Sequence, residues 1–234
     1  MIPLRDSVPR RTYPFFNNLL ILLNVAAFFL QLSQGPGLEA FIGRWAFIPD
    51  RLLHPAAWGM PISASLATVV TAMFLHGGFL HLAGNLLYLW IFGDNVEDAL
   101  GHFRYLVFYL ASGVAAAVLQ TALNPASSVP NVGASGAIAG VLGGYFVLYP
   151  RARVVTIVPL FFLFPLVEVP AALYLLFWFL LQFWMGSADL ARAARRPDAG
   201  GVAWWAHVGG FVAGALLVLL TKPRRRPPAR YRIL

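Results

Sequence analysis

The sequence predicts an all-α membrane protein, a six-transmembrane-helix bundle with a long interfacial loop after its first helix. Three observations carry that expectation. Of the 234 residues, 59% are hydrophobic and only 11% are charged, with a mean hydropathy of +0.72, whereas soluble domains carry about 25% charged residues. The apolar residues fall in separated stretches, and at about 20 residues per crossing there is room for roughly six spans. The positive charges lie between and outside those stretches with a strong bias to one side.

The first span is expected at Phe15–Gln34, behind the basic residues Arg5, Arg10 and Arg11. Asn17, Asn18 and Asn24 interrupt it and no small-x-small cleavage site follows, so it reads as a retained helix, not a signal peptide. Gly35–Gly78 is too polar and too punctuated by Pro and Gly to cross. It nevertheless holds Phe41, Trp45, Phe47, Trp58 and the apolar run Leu66–Leu75, which suits a loop lying in the interface with Trp45 and Trp58 at headgroup depth. The second span is expected at Phe79–Val96 and the third at Phe103–Leu123. After Pro125 and Pro130, a fourth begins at Ser135. Val154 to Met185 is apolar but too long for one crossing and is broken by Pro159, Pro165 and Pro170. Val154–Leu166 is therefore read as a partly inserted connector. The fifth span starts near Val167, with Glu168 at its N-terminus, where the helix dipole favours a carboxylate, and Pro170 in its first turn. Val202–Thr221 is the sixth. Residues 1–14 then form a basic cytoplasmic N-terminus, 15–221 the helical domain and 222–234 a basic cytoplasmic tail.

An even number of spans places both termini on one side. With that side cytoplasmic, Arg5, Arg10, Arg11, Arg104, Arg151, Arg153 and the six basic residues of the tail are inside. Arg44, Arg51, Arg192, Arg195 and Arg196 remain outside. This is the positive-inside bias, and it explains the net charge of +8 through membrane topology, with membrane lipid and no nucleic acid as partner. It also puts Ser135 and His207 at the outward ends of their spans, at one depth.

A serine hydroxyl is a weak nucleophile until a positioned base takes its proton, and histidine is the usual base. Ionisable groups inside a bilayer are expensive and mark function. Ser135 precedes a stripe of small residues (Gly136, Gly140, Gly144), and His207 lies within a second (Ala206, Gly210, Gly214). Small residues at every fourth position let helix backbones approach closely, which would bring the serine to the imidazole. Taken singly, Ser135 also reads as a helix N-cap, and His207 as a histidine satisfied elsewhere; their coincidence favours a reactive pair. His81 and Asn85 share a helix face and offer donors of the kind that hold an oxyanion, or a polar pair tying two helices together. His76 suits the organisation of the preceding loop end, and His54 and His102 receive no role. Asp189 and Asp198 fall in the loop before the last span and Glu168 at the opposite face, so the simplest machinery is a Ser–His dyad. No cysteine is present, which removes disulfides, thiolate nucleophiles and cysteine metal sites. H-E-x-x-H is absent, and Asp94 has no evident carboxylate partner for an aspartyl mechanism. A transporter would line several spans with polar groups, whereas here they cluster near one surface.

The combination of H-x-x-x-N at His81–Asn85, G-A-S-G at Gly133–Gly136 and A-H-x-x-G-x-x-x-G at Ala206–Gly214 resembles the rhomboid family of intramembrane serine proteases. The resemblance covers nearly the whole chain, and Arg44-Trp45 and Glu97-x-x-x-Gly101 also fit it. It implies Ser135 as nucleophile, His207 as general base, and His81, Asn85 and the Ser135 backbone N–H as the oxyanion hole. It further implies support from Gly133, Gly136, Gly140, Gly210, Gly214 and His76, with no cofactor and no metal. Single-span transmembrane proteins would be cut near their extracytoplasmic boundary, with the fifth helix and the loop after it gating entry. Some rhomboids pack a tyrosine, four residues after the serine, against the histidine; here that position is Ala139, so another group must hold the ring. The alternative within the resemblance is a pseudoprotease that binds membrane clients without cutting them, whose signature would be loss of the serine or the histidine. The compact layout and the single lysine, Lys222, suit a prokaryotic plasma membrane.

Overall fold

The computed structural model describes residues 1–159, 163–193 and 202–221. The tail 222–234, Asp198, Arg195 and Arg196 lie outside the described residues. Four described helices are long and apolar enough to cross a membrane: α1 (Phe15–Leu32), α7 (His102–Leu123), α9 (Ala171–Ala193) and α10 (Trp204–Thr221). A fifth candidate is a broken pair, Ile62–Phe74 followed by Phe79–Leu100, bent by 82°. The segment expected as the fourth span is a shorter helix, α8 (Ser135–Leu148), of 14 residues. At 1.5 Å per residue it is about 21 Å long, against about 30 Å of hydrocarbon.

Two expectations need correction. The protein is not all-α: β1 (Ile2–Asp6), β2 (Arg153–Ile157) and β3 (Leu166–Pro170) form an antiparallel sheet in the order β1-β2-β3. The two ends of the segment expected as an inserted connector are thus paired strands. Its β-branched run Val154-Val-Thr-Ile157 favours a pleated strand, and prolines at 159 and 165 deny it a helix. Glu168 sits in β3 opposite Val155, not at a helix N-terminus, and α9 starts only at Ala171. The N-terminal segment supplies the third strand, with Ile2 opposite Ile157 and the Thr156 hydroxyl donating to the Ile2 carbonyl at 2.9 Å. Burial pushes the Asp6 carboxyl at the end of β1 up to about 7; it accepts hydrogen bonds from Tyr145 on α8 and from Asn95.

The second correction concerns residues 35–78. They form no simple loop but a string of short helices, α2 (Leu38–Trp45), α3 (Pro49–Leu53) and α4 (Ile62–Thr71), with 3-10 turns before α2, between α3 and α4, and after α4. Buried Arg51 stitches them together by donating to the carbonyls of Gly43 and Ala46. The Arg44 guanidinium lies 5.4 Å from the Trp45 ring centre.

The expected second span is α5 (Phe79–Tyr88), a π-helical turn at Leu89–Gly93 and α6 (Asp94–Leu100). Glu97 on α6 is fully buried and accepts from the backbone N–H groups of Phe16 and Asn17 at 3.0 and 2.7 Å. A carboxylate on the free N–H groups of a helix start satisfies orphan donors and complements the dipole, so Glu97 fixes where α1 enters the bundle. Gly101, with φ +83°, makes the turn into α7 in a conformation that side chains disfavour.

At the centre, α8 is enclosed by α7 and α10, with ten of its 14 residues buried; a helix apolar on all sides belongs inside. Its contact with α10 is backbone on backbone. A Cβ on Gly210 would stand 1.9 Å from the Gly136 carbonyl oxygen, and one on Gly214 2.0 Å from that of Gly140. The sheet lies beyond the C-terminal end of α8, because β2 follows that helix directly; Ser135 lies at the other end.

Candidate active site

Ser135 is the first residue of α8, after a turn that only glycine can make. Gly133 has φ +130°, and a Cβ there would meet the His81 ring at 2.7 Å. Its N–H donates to the Ala72 carbonyl at 2.9 Å, tying the approach to α8 onto the segment after α4. Glycine is needed twice over, for the backbone angle and for the space.

His207 lies in the first turn of α10, and its Nε2 is 2.8 Å from the Ser135 Oγ. The two small-residue stripes bring this about. Gly210 and Gly214 on α10 lie against the carbonyls of Gly136 and Gly140 on α8 so closely that a side chain on either would part the helices. Gly140 also receives Ser112 of α7, 2.2 Å from where its Cβ would be. The imidazole is buried, with the rings of Trp178 and Trp204 centred 5.9 and 6.2 Å away.

Its other nitrogen has a partner that sequence reasoning missed. The Nδ1 lies 2.8 Å from the Oε1 of Gln182 on α9. The signal available was a lone amide in the otherwise apolar run from Ala171 to Met185. Of the carboxylates considered for that place, Asp189 lies within α9, not in a loop, and pairs with Arg192 at 3.7 Å. Glu168 lies in the sheet beyond the far end of α8.

His81, on α5, packs beside Gly133, and its Nδ1 accepts from the Gly77 N–H at 3.3 Å. That bond puts the ring proton on Nε2, the nitrogen against Gly133. Asn85, one turn on, is buried, and its Nδ2 has no hydrogen-bond partner among the described residues. Such a donor is costly to leave unmade, which fits a group kept for a ligand oxygen. At His76 the Gln31 side chain bonds both the backbone N–H (3.1 Å) and the carbonyl (2.6 Å), and the His76 ring packs edge-on to His81. His102, which had no expected role, bonds Glu97 at 2.5 Å.

These groups share one cavity of about 810 Å³, lined by His81, Asn85 and Tyr88 of α5, Ser135 and Ile138 of α8, Trp178 and Gln182 of α9, and His207. Its walls are apolar towards Leu142 and polar around Ser135. It is large enough for several residues of an extended chain.

Comparison with known proteins bears on the family of the chain. The rhomboid domain family matches residues 63–224. The chain is 30% identical over 244 aligned positions to RHOMBOID-like protein 4 of Arabidopsis thaliana, covering 92% of this chain and 55% of that protein. It is 33% identical over 131 positions to the rhomboid protease GluP of Bacillus subtilis (strain 168), covering 56% of this chain and 24% of GluP. It is 28% identical over 201 positions to the mitochondrial Rhomboid protein 1 of Saccharomyces cerevisiae (strain ATCC 204508 / S288c), covering 84% and 50%. The chain thus spans about half of these relatives' own length, or less. With its apolar helices it is a multi-pass integral membrane protein, and it belongs to the rhomboid family.

Proposed function

We propose that this protein is an intramembrane serine endopeptidase that cleaves single-span transmembrane proteins near the extracytoplasmic membrane boundary. The observation that carries the reading is the 2.8 Å contact between Ser135 Oγ and His207 Nε2, within reach for proton transfer and inside a cavity that a peptide can enter. His207 takes the hydroxyl proton as Ser135 attacks the scissile carbonyl. The resulting oxyanion is held by the Ser135 backbone N–H, unpaired at a helix start, with His81 Nε2–H and Asn85 Nδ2–H as further donors. His207 then gives its proton to the leaving amine. Water, activated by the same imidazole, hydrolyses the acyl-enzyme. Every proton in this cycle is carried by these side chains or water, so the reaction calls for no cofactor and no metal.

The short α8 supports the location of the cut. In this reading the end of the 14-residue helix that falls short is the Ser135 end, below the membrane surface, where the cavity lets water reach the serine. On the same reading, the broken pair Ile62–Leu100 and the short α8 complete a six-helix bundle, with both termini and the sheet cytoplasmic. Residues 15–221 form the protease domain between a basic N-terminal segment and a basic tail, in a prokaryotic plasma membrane.

The test is incubation of the purified protein, in detergent, with a generic single-span substrate, followed by mass spectrometry of the products. A single cut near one end of the span, absent with Ser135→Ala, is the expected result. Binding of the substrate without any cut would turn the assignment to a non-cleaving member of the family.

A further inference from the structure

We infer that Gln182 is the positioning residue of the catalytic base: it selects the tautomer of His207 that accepts the Ser135 proton. This rests on reading Ser135 and His207 as nucleophile and base.

A neutral imidazole has one N–H and one lone pair. For Nε2 to accept from Ser135, Nδ1 must carry the hydrogen, and inside a buried site that hydrogen needs an acceptor. Gln182 Oε1 is that acceptor, at 2.8 Å. The orientation of the amide is fixed independently, since its Nε2 donates to the Trp178 carbonyl one turn back on α9, at 3.3 Å. An amide oxygen facing the ring can only accept, so the ring must donate from Nδ1 and leave the Nε2 lone pair towards the serine. The reverse tautomer would set the Nδ1 lone pair against the Gln182 oxygen and an N–H against the Ser135 hydroxyl, and catalysis would stop at the first proton transfer.

Gln182 is itself buried. A buried amide in an apolar helix is costly unless both its ends are paired, and here both are. No described carboxylate takes this place. The imidazolium formed during catalysis therefore gains no counter-charge from this side; the rings of Trp178 and Trp204 lie beside it instead. Ala139, where some relatives carry a tyrosine against the ring, is fully buried and only fills space between α8 and its neighbours. The ring is held from α9 instead. The nucleophile and base belong to the α8–α10 pair, while the group that sets the base belongs to a third helix, so the dyad is complete only when α9 is docked.

The experiment is nitrogen-15 NMR of histidine-labelled protein in detergent, at a pH where the ring is neutral, alongside kcat and KM on the same preparations. His207 signals are assigned by their loss in His207→Ala. The wild type is expected to have Nδ1 protonated and Nε2 bare. Gln182→Leu should populate the Nε2–H tautomer and lower kcat by roughly tenfold or more, as loss of one positioning hydrogen bond predicts, with KM changed far less. Gln182→Glu keeps an acceptor and should retain the Nδ1–H tautomer; Gln182→Met replaces the leucine variant if that one does not fold. An unchanged Nδ1–H tautomer in the apolar variant overturns the assignment whatever its turnover, and so does an Nε2–H wild type. If the wild type cleaves nothing, the protease reading fails while the tautomer measurement still decides the role of Gln182.

Discussion

The α8–α10 contact and the α9 contact hold the same site by opposite means. Between α8 and α10 the carbonyl oxygens of Gly136 and Gly140 occupy the places where Cβ atoms of Gly210 and Gly214 would be. Backbones so close have no rotamers to adjust, and the Ser135–His207 distance is inherited from them. α9 touches its neighbours through side chains: buried Tyr174 and Leu175, the Phe179 ring 4.9 Å from that of Phe211, and three hydrogen bonds, Tyr174 to Tyr88 at 2.9 Å, Gln182 to His207, and the Trp205 indole to the Gly186 carbonyl at 3.2 Å. Its other face presents Leu173, Phe177, Leu180 and Trp184, all more than half exposed, as a lipid-facing helix should. In a membrane no hydrophobic driving force presses helices together, so close packing and a few hydrogen bonds decide which contacts are firm. One interface is built not to move. The other is built from side chains whose packing and hydrogen bonds can be altered one at a time.

The largest expected effects come from the reacting pair itself. Ser135→Ala and His207→Ala should each reduce cleavage to background while the protein stays folded, because nucleophile and base act as one unit. A fluorophosphonate probe should label Ser135 in the wild type and far less in His207→Ala. Equal labelling in the two would separate the histidine from activation of the serine.

Next comes a test of the rigid interface with residues that have no reactive group. Gly210→Leu and Gly140→Leu place several carbons against a carbonyl and against Ser112 respectively. Over-packing commonly costs about 1–3 kcal/mol, and a shift of about 1 Å at the reacting atoms can cost 10²-fold in rate. Both variants should melt at lower temperature and lose most of their turnover, whereas Leu220→Ala, on the exposed face of α10, should do neither. Wild-type melting and turnover in both glycine variants would mean that the helices can separate and the distance between serine and histidine is set elsewhere.

His81→Ala and Asn85→Ala come third. Each removes a donor that strengthens only as charge develops on the oxygen, a loss of about 3 kcal/mol for a single essential donor and less where others remain. Turnover should fall with little change in KM and no change in melting temperature. Wild-type cleavage by the double variant would remove both residues from the oxyanion hole.

How far all this could be read from the chain follows the same division. The approach of Ser135 to His207 was legible because its determinants are local: a serine directly before one small-residue stripe and a histidine inside another, each on a helix whose period is known. Gln182 was not, because an amide in an apolar helix gives no hint of its partner, and His207 is 25 residues further along. The sheet was missed for a similar reason. Val154–Ile157 and Leu166–Pro170 are as apolar as a span, and their outer partner, Ile2–Asp6, lies about 150 residues upstream in what reads as a basic tail. The length of α8 was readable from Ser135 and Pro150 at its ends, though a count of apolar stretches alone promotes it to a full span. The shape of the Gly35–Gly78 segment was not, because Arg51 makes it compact through bonds to carbonyls that no pattern reveals.

The smallest expected effect tests the looser interface where it is furthest from chemistry. Tyr88 on α5, in the cavity wall, and Tyr174 on α9 share one hydrogen bond between hydroxyls, at 2.9 Å, across the gap between those helices. Phenylalanine keeps either ring and its packing against Phe92 and removes only the bond. Hydrogen bonds between membrane helices average about 0.6 kcal/mol in double-mutant cycles, so Tyr88→Phe and Tyr174→Phe should each lower the melting temperature slightly. If the bond is the whole of what is lost, the double variant should be no less stable than either single one, because the second substitution removes a hydroxyl already without its partner. Fluorophosphonate labelling of Ser135 should stay near wild type in all three, since the α8–α10 contact is untouched, while turnover of a transmembrane substrate is free to change with the attachment of α9. Additive losses of stability would mean that each hydroxyl serves a separate partner and that α9 is held at this level by more than a single bond. A fall in labelling as large as that of Gln182→Leu would mean that the tyrosine pair, and not the amide, governs how α9 presents itself to the base.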